Sequence, residues 1–135
     1  VETRGTFTKS SVIISDDDIY YTDSIEPDIV ITLADVAYEK YVKEINKNTI
    51  MIYDNSLIKE EKNSKCKQMG FPITKIARDL GSEAVANIVA LGIIIKETKV
   101  IEKEFIENVL NEKFKNSQDI LRLNLDAFNK GYNLA

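Results

Sequence analysis

The sequence predicts an α/β domain of three layers, with a mostly parallel sheet and a helical C-terminal part. Three observations carry that expectation. Several short runs are apolar on both faces, an amphipathic helical pattern lies between two of them, and the last third of the chain shows only helical periodicity. The 135 residues are the length of one domain, 1–135, with no internal repeat, low-complexity tract or linker.

Val12-Ile13-Ile14, closed by Asp16, Asp17 and Asp18, reads as a first buried strand. Ile29-Val30-Ile31-Thr32-Leu33 and Thr49-Ile50-Met51-Ile52-Tyr53 read as two more. Between these two, Tyr38, Tyr41, Val42 and Ile45 recur at helical spacing, opposite Glu39, Lys40, Lys43 and Glu44. Thr32 with Asp35 three residues on has the form of a capping box for that helix. Strand, helix, strand in this order predicts a right-handed crossover and a parallel pair, hence a Rossmann-like arrangement.

Lys59 to Lys67 is polar without periodicity, a surface loop leading to an edge segment around Gln68 to Phe71. Pro72 and Gly81 bracket a short helix, Ile73 to Leu80, because proline suits a first turn and glycine a helix end. Glu83 to about Thr98 is apolar nearly all round and predicts a buried helix. Ile101, Phe105, Ile106, Val109, Leu110 and Phe114 form the stripe of the next. Ser117 caps a last helix, carrying Ile120, Leu121, Leu125 and Phe128, that Gly131 is expected to stop. The aromatic rings of Tyr38, Tyr41, Phe105 and Phe114 are expected in the core, and any apolar patch left outside it is expected to dock partner subunits.

Composition excludes more chemistry than it offers. Hydrophobic residues at 44% and charged residues at 30% describe a folding chain rather than a disordered one. Eighteen basic and 22 acidic side chains are interleaved, which argues against nucleic acid as a partner. The longest apolar run, Ile88 to Ile95, has eight residues, where a membrane span needs roughly 20. Val1 to Lys9 carries no apolar signal core, so the expected location is the cytoplasm.

Histidine is absent and Cys66 is the one cysteine, so this chain alone has no ligand set for a zinc site or a cysteine-ligated iron-sulfur cluster. Histidine-dependent serine and cysteine nucleophile sites fall with them. Asp16 to Asp18 reads as a turn after a strand, because the glycine and remaining ligands of a calcium loop are missing. No pair of acids is placed to split acid and base roles, so no catalytic residue and no metal ligand is assigned.

Two features stand out. Thr3-Arg4-Gly5-Thr6 sets a permanently charged guanidinium beside a residue of free backbone; it reads either as a solvated terminal turn or as an anion contact. Asn87 is the one polar side chain within Ala84 to Gly92. A buried amide there must find partners, as an internal cap of a loop or as an amide offered to a ligand or subunit.

Arg4-Gly5 ahead of Val12-Ile13-Ile14-Ser15, then Val85-Ala86-Asn87-Ile88-Val89-Ala90-Leu91-Gly92, then Leu123-Asn124-Leu125-Asp126-Ala127-Phe128-Asn129-Lys130-Gly131-Tyr132, together resemble the gamma subunit of 2-oxoacid:ferredoxin oxidoreductases, with the 2-oxoglutarate branch favoured over the pyruvate and ketoisovalerate branches. The resemblance runs in order over nearly the whole chain. It implies a subunit of a complex that decarboxylates a 2-oxoacid, passes electrons to ferredoxin and forms an acyl-coenzyme A. It further implies thiamine diphosphate and iron-sulfur clusters on partner subunits, one thiamine-binding and one ferredoxin-like, and an isolated chain without activity. Arg4, Gly5 and Asn87 are the positions it points to for coenzyme A. Members usually carry a glycine-rich turn ahead of the arginine motif, beyond which this sequence begins, and Thr6 stands where their second glycine is usual. The competing reading is a free-standing α/β ligand-binding or regulatory module on the same scaffold.

Overall fold

The computed structural model describes residues 26–135; Arg4, Gly5, the expected strand at Val12-Ile13-Ile14 and the three aspartates after it lie outside the described residues. Among the described residues three parallel strands form one sheet in the order β1 (Ile29–Thr32), β2 (Ile50–Asp54), β3 (Lys67–Phe71). Ile29 pairs with Ile50 and Thr32 with Tyr53, while Ile50 pairs with Lys67 and Asp54 with Phe71. The helix α1 (Asp35–Glu44) links β1 to β2, and the polar loop 55–66 links β2 to β3 without one. Beyond β3 come α2 (Ile73–Leu80), a single 3-10 turn (Glu83–Val85), α3 (Ala86–Thr98), α4 (Lys103–Lys113) and α5 (Gln118–Leu134).

Alternation along the strands explains the three layers, since successive side chains point to opposite faces. Val30, Met51 and Tyr53 turn towards Tyr38 and Val42 of α1, with Cys66 beside them. Ile29, Ile31, Ile50, Ile52, Met69 and Phe71 turn the other way, onto Ile73 and Ala77 of α2, Val89 and Ile93 of α3 and Ala127 of α5. A third cluster joins Ile95, Ile106, Leu110 and Phe128 and seats α4 on the outside of α3 and α5. The predicted α/β, three-layer order with a helical C-terminal part is the order observed.

The boundaries of α2 follow the sequence signals: Pro72 precedes it, and Gly81 closes it at φ 118° with its N–H on Arg78 O. Other expectations are corrected. No capping box starts α1, because β1 runs on through Thr32 to pair with Tyr53; the helix enters from Ala34, whose side chain offers no cap. Asp35 Oδ1 takes the neighbouring Val36 N–H instead. Thr32 is left 3% exposed, its hydroxyl without a hydrogen-bond partner among the described residues.

Gly131 does not stop α5, which continues to Leu134. It lies inside the helix and against α3, where an added Cβ would meet Val89 O at 1.9 Å; Gly92 of α3 answers it, with Phe128 O 2.2 Å from its own Cβ position. The glycine pair is therefore a close-approach device between two backbones. Phe105 is also not core. Tyr38 is fully buried and Tyr41 and Phe114 are half-buried, whereas Phe105 is 58% exposed, because Ile106 and Leu110 alone turn α4's inner face to the protein.

Candidate functional site: a groove beside Asn87

Asn87 is exposed, which overturns the expectation of a buried amide. The cause is local. Ser82 accepts the Ala84 N–H at 3.2 Å and starts the 3-10 turn Glu83–Val85, so α3 begins with its first residues standing clear of the sheet. Val89, Ala90 and Ile93 are the first full contacts of α3 with the core, and Asn87 precedes them on the outer side. No hydrogen bond within the described residues engages its carboxamide.

Asn87 instead borders a groove of about 480 Å³ between the start of α3, the end of α4 and the start of α5. Its walls are mainly aliphatic: Ile88 and Leu91 of α3, Leu110 and Phe114 on the α4 side, Ile120 and Leu123 of α5. Four polar side chains interrupt them, Ser82, Asn87, Lys113 and Asn124. An apolar concavity with a few polar groups is the usual composition of a small-molecule site. Ser117 holds the α5 wall in place by accepting the Ile120 N–H at 3.4 Å.

Asn124 was not singled out among the candidate positions of the sequence. It is only 6% exposed, and Nδ2 donates to Ile120 O at 2.9 Å, leaving Oδ1 without a partner among the described residues. A spacing signal exists: Ile120, Asn124 and Phe128 recur every four residues, so an amide falls on the apolar stripe. Arg4 and Gly5 lie outside the described residues.

Other polar clusters are occupied. Asp54, buried at the end of β2, accepts from Ser56 N and Thr74 N, each at 3.0 Å, and from the Thr74 hydroxyl. Tyr53 donates to Glu61 at 2.8 Å, and burial first, then that carboxylate, push its phenol up to about 12. Tyr38 donates to Gln68 Oε1 at 2.7 Å and accepts from Lys62 N at 2.8 Å; its phenol is likewise raised, mainly by burial. Both phenols stay neutral at ordinary pH and tie down the loop 55–66. Cys66 is buried, 3.3 Å from Ser64 Oγ. Among the described residues no group of acidic, cysteine or histidine side chains could hold a metal ion, and no helix is long and apolar enough to cross a membrane.

Comparison with known proteins gives these features a context. A family model described as pyruvate ferredoxin/flavodoxin oxidoreductase matches residues 1–134. The chain is 34% identical over 137 residues to the 2-oxoglutarate synthase subunit KorC of Methanocaldococcus jannaschii, covering 99% of this chain and 72% of that one. It superposes with a TM-score of 0.71 and 27% identity on the gamma subunit of a keto/oxoacid ferredoxin oxidoreductase from Geobacter sulfurreducens PCA, over 84% of this chain and 66% of that one. A 2-oxoglutarate:ferredoxin oxidoreductase from Magnetococcus marinus, solved with 2-oxoglutarate, coenzyme A and succinyl-CoA bound, gives a TM-score of 0.72 at 28% identity over 80% of this chain and 19% of that chain. The same fold thus occurs as most of a small subunit and as a fifth of a large polypeptide.

Proposed function

The chain belongs to the pyruvate ferredoxin/flavodoxin oxidoreductase family, as a gamma-type subunit of a 2-oxoacid:ferredoxin oxidoreductase, and on that premise we propose that it helps its complex to receive coenzyme A while 2-oxoglutarate is oxidatively decarboxylated. The observation that carries this reading is the exposed carboxamide of Asn87, without a hydrogen-bond partner among the described residues, at the edge of an apolar groove. Support for the ligand comes from a similar enzyme solved with coenzyme A, and support for the oxoacid from a relative named as a 2-oxoglutarate synthase subunit.

In the reaction the oxoacid loses carbon dioxide, two electrons leave for ferredoxin, and the acyl group passes to the coenzyme's thiol. This chain has no histidine and one cysteine, so its share is to bind and orient. Asn87 offers both a donor and an acceptor to the coenzyme. Arg4, with Gly5 allowing close backbone approach, supplies a charge-assisted contact to phosphate. Thiamine diphosphate and the iron-sulfur clusters reside on the thiamine-binding and ferredoxin-like partner subunits.

The rival reading, a free-standing module, calls for an evenly polar surface. Phe105 at 58% and Val109 at 45% exposure stand on one side of α4, one helical turn apart, and favour an assembled chain.

Asn87→Ala in the reconstituted complex tests the proposal. The expected result is a several-fold rise in the Michaelis constant for coenzyme A with kcat little changed, because binding that is uniform along the reaction path is what is lost. The melting point of the chain should hold, since an exposed surface side chain contributes within about 0.5 kcal/mol. Arg4→Ala should act in the same direction. Unchanged coenzyme kinetics in both variants would remove these residues from the site.

A further inference from the structure

Resting on the chain's place in a multi-subunit oxidoreductase, we propose that Lys96, Lys103 and Tyr132 form an anion-binding corner that receives a carboxylate from a partner subunit.

Three helices meet at this corner. Lys96 stands in the last turn of α3, Lys103 is the first residue of α4, and Tyr132 lies near the end of α5 with its ring 6.1 Å, centre to centre, from that of Phe128. The Lys96 ammonium is 4.9 Å and the Lys103 ammonium 5.0 Å from the centre of the one Tyr132 ring. The two cations are therefore no farther apart than the roughly 10 Å Debye length of 0.1 M salt, and they repel each other. All three residues are half-buried, which thins the water that would screen that repulsion.

The described residues do not balance the pair. Their ion pairs use Lys62, Lys75, Arg78 and Lys115, and neither Lys96 nor Lys103 is among them. Glu107, one turn along α4 from Lys103, is the carboxylate placed to answer it, yet its Oε2 takes the Asn129 amide at 3.3 Å. The Tyr132 hydroxyl has no hydrogen-bond partner among the described residues either. A tyrosine face attracts one cation, and a second gains there only against the repulsion of the first. Lys96 suits the carbonyl end of α3, but a helix start disfavours a cation, so the dipole of α4 does not account for Lys103.

All three groups want an acceptor, and a carboxylate carried by a neighbouring protein meets that want better than a free anion. Lysine ammoniums are point charges without the fork that grips a phosphate, so a small anion here would be held by charge alone, against water and salt. A carboxylate fixed on a docked subunit is held in place by the rest of the contact, and the attraction strengthens as water leaves. The Tyr132 hydroxyl adds a donor for its second oxygen.

The experiment uses the reconstituted complex with two double variants, Lys96→Gln with Lys103→Gln and Lys96→Arg with Lys103→Arg, each isolated chain being melted first. The dissociation constant of the chain from its partner subunits is read by sedimentation at low and at high salt, with the Michaelis constant for coenzyme A alongside. The proposal expects the glutamine pair to weaken assembly about tenfold or more at low salt and to flatten its salt dependence. The arginine pair, which keeps both charges, should stay within about threefold of the parent. Equal affinity of the glutamine pair and the parent at low salt would overturn the proposal. A fallen melting point in the isolated glutamine pair would place the lysines in the fold, and a raised coenzyme constant in an intact complex would give the corner to an anionic substrate; either result overturns it. A parent chain that fails to join the partner subunits at all would strike the subunit reading itself, and the proposal with it.

Discussion

A Cβ atom on Gly131 would lie 1.9 Å from the carbonyl oxygen of Val89, so these two residues set how closely α5 crosses α3.

Gly131→Ala should force the two helices apart. The obstacle is backbone, which cannot swing away as a side chain end would, so the cost should reach about 3 kcal/mol, the upper end of what overpacking brings. Gly92→Ala meets Phe128 O and should behave alike. Chemical denaturation of the isolated chain checks both; midpoints unchanged from the parent would contradict the crossing described above.

Asp54 joins the end of β2 to the start of α2, holding the Thr74 N–H and hydroxyl on one oxygen and the Ser56 N–H on the other. Three donors converge on a buried carboxylate, and charged acceptors make the stronger bonds. Asp54→Ala should strand those donors and destabilise the chain by about 3 kcal/mol. Thermal melting would show it, with Asp54→Asn recovering only part of the loss because its amide half presents hydrogens to hydrogens.

Tyr53 gives the chain an alkaline dependence. Below pH 10 its phenol is protonated in folded and unfolded chains alike, and its contribution is fully present. Between 10 and about 12 the unfolded chain releases the proton while the folded chain keeps it, so stability falls as pH rises through that window. Tyr53→Phe should flatten this slope in unfolding free energy measured across it. A slope identical to that of the parent would show that the phenol titrates normally.

Phe105 and Val109 should matter only in the assembly. Replacing both with serine is expected to leave the isolated chain's melting point within about 1 kcal/mol of stability, since exposed side chains contribute little to the fold. The same change should weaken incorporation into the complex, read by native mass spectrometry or sedimentation. Full incorporation would place the subunit contacts elsewhere.

What was legible in the sequence depended on how local the cause is. Pro72 and Gly81 mark α2 because fixed φ and a left-handed turn are properties of the residue itself. The two-sided apolar runs around Ile31 and Ile52 announced a covered sheet for the same reason. Gly131 misled because a glycine at a helix end and one at a helix crossing look alike in sequence, and only the position of Val89 separates them. Asn87 misled because Glu83 to Val85 turns as a 3-10 segment, rotating the outer side of α3 to solvent at a position the apolar run around it gave no cause to expect. Thr32 failed as a cap because strand pairing, a non-local event, claimed it first. The groove needed three helix ends to meet, and no window of sequence contains all of them.

The carboxylate at the end of β2 has a consequence for how the chain opens. First-turn amides of a helix have no intrahelical acceptor and ordinarily trade their hydrogens with solvent early. The Thr74 amide has a buried one in Asp54, anchored on the central strand of the described sheet. Fraying of α2 from its start must therefore first break a bond to a buried carboxylate, and deuterium should enter there later than at a helix start whose first amides face solvent.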